Sequence, residues 1–346
     1  VFENKIWSAN SLDQKGRTLE GSLANTHVVR GYENLLFVGN FCAPQDFGKK
    51  TPSYIFRDDE KLVTFEDLGM ITDAVWLDFN QDNLMDLLVV GHWMAPKLFI
   101  QTATGFEQDY YAFPEIKGLW QTVVPHDIDH DGDMDLLMGN WGLNSKFTAS
   151  EDHPMKLWYN DFDNNGASET ILTTYHQGED YPLLGLDDLA SQLVVLRKEY
   201  TRYSDFADQP INDIGGLNLE NSQVLEVQEL ASGYFENTNG TYRYVPFDEL
   251  LQQSPINTFL VTDLNGDQQS EILIGGNYFG VIPFHGRFDS FSGAIIDHRG
   301  KIISTTDLGL DFWNKSVRHF DLIDHNNEPY LIVIYNNETT EIFRIE

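Results

Sequence analysis

A single cysteine, Cys42, stands in a chain of 346 residues, which excludes an intrachain disulfide and a cysteine-built zinc site. That scarcity suits a cytosolic protein and equally a bacterial exported one. Basic residues are few: 22 Lys and Arg against 54 Asp and Glu, for a net charge of −32. Such a balance argues against nucleic acid or an anionic membrane as partner. No run approaches the roughly 18 consecutive apolar residues of a membrane-spanning helix. A charged-then-apolar leader does not precede Val1, so the expectation is a mature or trimmed product. The familiar hydrolytic motifs are missing too, with neither H-E-x-x-H nor G-x-S-x-G in the chain. Hydrophobic residues, by contrast, make up 41% and aromatics 13%. That is enough for a packed core rather than a disordered chain.

The acids are patterned. Asp127, Asp129, Asp131 and Asp135 occupy positions 1, 3, 5 and 9 of a stretch with Gly132 at position 6 and an apolar run, Leu136–Met138, behind it. Carboxylates so spaced can converge on one hard cation, with the glycine permitting a left-handed turn. The spacing recurs at Asp78, Asn80, Asp82 and Asp86, at Asp161, Asp163, Asn165 and Glu169, and at Asp263, Asn265, Asp267 and Glu271. An EF-hand is excluded, because its bidentate Glu at position 12 is replaced by Val89, Met138, Leu172 or Ile274. Oxygen donors completed by water fit Ca²⁺ better than Mg²⁺, which demands a rigid octahedron. The alternative is a set of acidic turns without metal. Asn83 and Gln268 replace Gly at position 6, and Gly266 sits two residues early.

Around these loops runs a repeating grammar. A first strand leads into the acidic loop, and an apolar second strand ends in Gly, then Asn or His, then an aromatic; a hairpin follows. The endings are Gly39-Asn40-Phe41, Gly91-His92-Trp93, Gly139-Asn140-Trp141 and Gly276-Asn277-Tyr278. Asn239-Gly240 marks one of the hairpins strongly. Four antiparallel strands repeated at this interval predict an all-β chain, a β-propeller of four-stranded blades, six or seven in number, forming one domain over 1–346. The loop at 161–169 follows Met155-Lys156-Leu157-Trp158, which reads as a third strand, so this loop is expected in the outer hairpin of its blade. Leu186, Leu189, Leu193, Leu196, Tyr200 and Tyr203 recur at steps of 3 and 4, predicting a helical insertion over about 183–208. Lys5-Ile6-Trp7 is expected as a strand and Asp13–Gly16 as a turn.

With the acidic loops, the Gly-(Asn/His)-aromatic endings and Pro182-Leu183-Leu184-Gly185-Leu186-Asp187-Asp188-Leu189 before the helix, the chain resembles the FG-GAP/VCBS repeat family over about 27–335. It is most similar to bacterial FG-GAP proteins of the kind that often carry an ASPIC/UnbV segment. The resemblance implies Ca²⁺ in the loops joining first and second strands. It also implies an extracytoplasmic location, at the cell surface or secreted, and binding rather than catalysis. The partner would be a protein or a glycan, within a larger outer-membrane assembly or free.

The second strand runs away from its acidic loop, so the endings should gather at the opposite end. Phe41, Trp93, Trp141 and Tyr278, with Asn40, His92, Asn140 and Asn277 beside them, suit a sugar ring or peptide. In the other reading the aromatics pack between blades and the polar residues cap strand ends. An enzyme, a Ca²⁺-dependent polysaccharide lyase or glycosidase on the same scaffold, is the alternative function. It would need a base such as His92 beside paired carboxylates.

Overall fold

Apolar runs bounded by Gly, Asn and Asp fold as strands, mostly in antiparallel pairs, along the described residues. The structure is a computed structural model that describes residues 24–44, 46–58, 60–326 and 328–345, with a short strand pair, Lys5–Ile6 and Arg17–Thr18, ahead of them. Trp7 and the Asp13–Gly16 turn lie outside the described residues.

Among the described residues six larger sheets follow. The first has Thr26–Tyr32, Leu35–Asn40, Ser53–Arg57 and Glu60–Phe65 side by side in chain order. The second is built on Met70–Leu77, Asp86–Met94, Lys97–Thr102 and Gly105–Asp109. The fifth repeats the plan with Ile256–Thr262, Glu271–Gly276, Ala294–Ile296 and Ile302–Ser304. The sixth has three strands, Val317–His325, Glu328–Tyr335 and Glu341–Arg344. These are the blade-type sheets that the repeats predict.

The third and fourth sheets depart from simple repetition. Thr122–His126 and Asp135–Gly139 are completed by Gly233–Thr238 and Thr241–Pro246, with Leu136 opposite Phe235 and Met138 opposite Gly233. The intervening chain forms its own sheet, in the order Glu179–Pro182, Glu169–His176, Met155–Asn160, Gln223–Val227. Met155–Asn160 is therefore not the third strand of the sheet begun at Thr122. It pairs with Glu169–His176 across the acidic loop at 161–169, and together they are the two central strands of a separate sheet. A whole sheet is thus inserted in the chain between two strands of another.

The helical segment is three short turns, Leu186–Gln192, Leu196–Glu199 and Tyr203–Phe206. The breaks fall near the β-branched Val194, Val195 and Thr201, which lose rotamer freedom in a helix. The spacing still selects the packing face. Leu186, Leu189, Leu193 and Leu196 are buried against Phe162 of the acidic loop and Ile171 of the fourth sheet, while Tyr203 is exposed.

Contacts divide the chain into two compact units. One comprises Val1–Met94, Phe99–Gln108 and Lys156–Glu226, the other Ala95–Leu98, Asp109–Met155 and Val227–Glu346. In the first, Phe37, Ile55, Ile71, Leu87 and Val89 fill the space between two sheets. In the second, Leu137, Phe259, Ile272 and Ile274 do so for the third and fifth sheets, and Leu273, Ile295, Val317 and Val333 for the fifth and sixth. The second strands of the first, second, third and fifth sheets are covered on both faces, so their sequences run apolar without alternation, whereas Glu328–Tyr335 of the sixth alternates.

Candidate functional site

Each acidic loop is first a hydrogen-bonded turn. The position 1 carboxylate accepts at least two backbone N–H groups from positions further along its own loop. Asp78 takes those of Asp82 and Asn83 (3.0 and 2.9 Å), Asp127 those of Asp131 and Gly132 (3.2 and 3.1 Å), and Asp161 those of Asn165 and Gly166 (both 2.9 Å). In the fourth loop Asp263 accepts from Gly266 at 2.7 Å and Gln268 at 2.9 Å. These donors hold the Asp263 carboxyl below its ordinary value, Gln268 contributing most. Positions 4 and 6 are both left-handed: Gln81 and Asn83, His130 and Gly132, Asn164 and Gly166, Gly266 and Gln268. The early Gly266 therefore meets a real need at position 4. Gln268, at φ 68, is the non-glycine residue carrying the strain.

Position 9 is the buried acid. Asp86, Asp135, Glu169 and Glu271 are each less than a tenth exposed, and each accepts the N–H of position 2: Phe79, Ile128, Phe162 or Leu264. In two loops the other oxygen holds the blade's outer hairpin, Asp86 taking the N–H of Gln101 and Asp135 that of Asn237, both at 2.7 Å. Burial pushes the Asp86, Asp135 and Glu169 carboxyls up, against the pull of those backbone donors.

The carboxylates converge as a cation would require. Oxygens of Asp127, Asp129 and Asp135 lie within 4.8 Å of one another, as do those of Asp161, Asp163 and Glu169. Asp163 Oδ1 is shielded from solvent and accepts no hydrogen bond, an orphaned acceptor that a bound cation satisfies. In the fourth loop the converging set is Asp267, Glu271 and His298, while Asn265 Nδ2 donates to Glu271 at 2.8 Å. The Asp78–Asp86 loop forms no such cluster of three among the described residues, and there Asn80 Nδ2 donates to Asp82 at 3.0 Å. A set of oxygen donors around a buried carboxylate fits Ca²⁺.

The raised carboxyls set a sign for pH. Unfolding returns them to ordinary values, so in metal-free protein the charged form is penalised in the fold at neutral pH. That penalty is relieved as pH falls through the raised values toward about 4. Metal-stripped protein is therefore expected to melt higher at about pH 5 than at about pH 7. Calorimetry at the two pH values tests this; a melting temperature that only falls on acidification overturns it.

At the other strand ends the expected ligand residues divide by role. Asn40, Asn140 and Asn277 are fully buried. Asn140 Nδ2 donates to Glu229 O at 3.0 Å, and its Oδ1 accepts from Leu119 N and Trp141 N at 3.1 and 2.8 Å. Asn40 Nδ2 donates to Pro52 O, and Asn277 Nδ2 to Phe291 O and Lys315 O. These amides latch the chain entering a later strand onto the end of the second strand, so they are structural and not available to a ligand. The glycine before them is forced by close approach: a Cβ on Gly139 would lie 2.3 Å from Ile256 O and one on Gly276 2.2 Å from Pro255 O. Trp93 and Trp141 are also buried.

His92, Phe41 and Tyr278 are partly exposed. In the first unit Phe41 meets His92 edge-on at 5.1 Å. In the second, Trp141 packs against Tyr278 at 5.4 Å, Phe288 at 5.2 Å and Phe147 at 5.6 Å.

Sequence reasoning missed a second set at these ends. The first strand slips by one residue at His27, Thr72, Asn257 and Arg318, each the extra residue of a bulge opposite the end of the second strand. Bulges re-aim a side chain at a strand end. No residue type marks these four positions, so only the pairing register reveals them.

The pairing of acidic loop and apolar strand has a counterpart among known repeats. Residues 78–138 match the FG-GAP-like repeat. The match spans two acidic loops and the strand behind each, from Asp78 to Met138. The matched repeat is consistent with the β-rich sheets of this chain. No curated protein matches the chain.

Proposed function

We propose that this protein is a Ca²⁺-stabilised binding module that works outside the cytoplasm and engages a protein or glycan at the strand-end cluster. The observation that carries the reading is the repeated cage, in which a buried position 9 carboxylate is surrounded by further oxygen donors, with Asp163 Oδ1 left without a partner. Asp127, Asp129 and Asp135, and Asp161, Asp163 and Glu169, would hold the ion most directly. Loops supplying about five protein oxygens leave water to complete the shell, which suits the weaker, extracellular class of Ca²⁺ site. The ion's part is to neutralise the cage and tie the hairpin down. Recognition falls to the partly exposed aromatics at the other end.

Tyr278→Ala tests the binding half of this reading. Screened on glycan and protein arrays, the wild-type chain is expected to retain a ligand that Tyr278→Ala loses by tenfold or more. Its melting temperature should stay within about 3 °C, as for loss of a half-buried side chain. Equal retention by both proteins removes the strand-end cluster from consideration.

A further inference from the structure

Tyr278 is tied back to Phe288 by two backbone hydrogen bonds, of 2.8 and 3.2 Å. The loop so closed gathers cations onto rings. Lys146 Nζ lies 3.8 Å from the centre of Phe284, the Arg287 guanidinium 4.1 Å from Phe279, and the Arg318 guanidinium 5.0 Å from Tyr278. In a chain with 22 basic residues against 54 acidic ones, this is a local reversal of sign. Two of the three cations are otherwise engaged, Lys146 with Phe284 O and Arg287 with Asp289.

Arg318 is different. It is the extra residue of the bulge in Val317–His325 and is mostly buried. Its guanidinium meets the Tyr278 ring, and among the described residues it has neither an ion pair nor a hydrogen-bond acceptor. Burial pulls it below its ordinary value, and only Tyr278 is placed to oppose that. A desolvated guanidinium is unfavourable unless an anion meets it, and a fold so rich in carboxylates has placed none there.

We propose that Arg318, held over Tyr278, is the seat for the carboxylate of a uronic acid residue in an acidic polysaccharide. This names the ligand class of the strand-end cluster and rests on that reading. A guanidinium fork donates two parallel hydrogen bonds to a carboxylate. The partly exposed Tyr278 ring beside it offers an apolar surface to the sugar body. A uronate fixes its carboxylate directly on a rigid ring, matching a cation fixed directly on an aromatic platform. An acidic peptide carries its carboxylates on flexible stems and gains nothing from that rigidity.

The probe is a hyaluronan hexasaccharide, compared by titration calorimetry with the same hexasaccharide after reduction of its carboxyls to alcohols and with a hexaglutamate peptide. The hexasaccharide is expected to bind at least tenfold more tightly than either control and to weaken with added salt. Arg318→Gln should lose tenfold or more without a change in melting temperature beyond about 3 °C, and Arg318→Lys, which keeps the charge but not the fork, should fall between. Equal binding by wild type and Arg318→Gln, preference for the peptide, or no binding of the uronate chain overturns the proposal. If array ligands are lost on Tyr278→Ala but unaffected by Arg318→Gln, the carboxylate seat fails while the strand-end cluster stands.

Discussion

Stripping divalent cations is expected to lower the melting temperature of each unit by roughly 10–20 °C, and Ca²⁺ is expected to restore it. The size follows from counting loops. Asp78–Asp86 and Asp161–Glu169 belong to one compact unit, Asp127–Asp135 and Asp263–Glu271 to the other. A ligand bound only by the folded state stabilises it by about 2.7 kcal/mol at one hundred times its Kd. Two loops per unit then contribute about 5 kcal/mol, and about 2–4 °C accompanies each kcal/mol for a unit in the range of 150–250 residues. The buried position 9 carboxylates make the effect one-sided, because without an ion they remain desolvated charges beside other acids. Differential scanning calorimetry with and without chelator measures it. A shift below about 2 °C in both units would mean that the loops are hydrogen-bonded turns that need no metal. Mg²⁺ at the same concentration should recover only part of the loss, since the loops lack a rigid octahedral set.

The acidic loops were legible because their chemistry is local. Nine residues contain the ligands, the turn and the start of the next strand, so spacing alone places Asp127 and Asp135 in one turn. Even the departure at Gln268 was visible, although its meaning was not. Only the backbone reveals that position 4 is also left-handed and that Gly266 serves there. The nested sheets were hidden for the opposite reason. Leu137 pairs with Tyr234 across a long insertion, and nothing in either strand encodes its partner. Arg318 was invisible for a third reason, because a bulge is a property of register between two strands rather than of either sequence.

The Gly-Asn-aromatic endings were read correctly as a repeated device, but the sequence left their role open between ligand contact and strand capping. An amide has both donor and acceptor, and those serve a ligand or a backbone equally well. Burial separates the two. The asparagines are sealed and the glycines admit a neighbouring backbone, leaving Phe41, His92 and Tyr278 as the ending residues that reach solvent.

Asn140→Ala gives that division its sharpest test. The substitution leaves Glu229 O without its donor and the N–H groups of Leu119 and Trp141 without their acceptor, while the Asn140 N–H itself keeps its bond to Ser232 Oγ at 2.9 Å. Unsatisfied buried groups cost about 1–3 kcal/mol each, so a loss of roughly 3–5 kcal/mol is expected, near the upper end for single substitutions. Ser232→Ala, which removes one acceptor from the same latch, should lose about 1–2 kcal/mol. The two should be non-additive, because they share a network. Urea denaturation of the unit that holds Asp109–Met155 and Val227–Glu346 reads out both. If Asn140→Ala leaves the transition midpoint in place and abolishes ligand binding instead, the asparagine is a contact residue. The latch is then the wrong account of why Gly and Asn recur together at the ends of these strands.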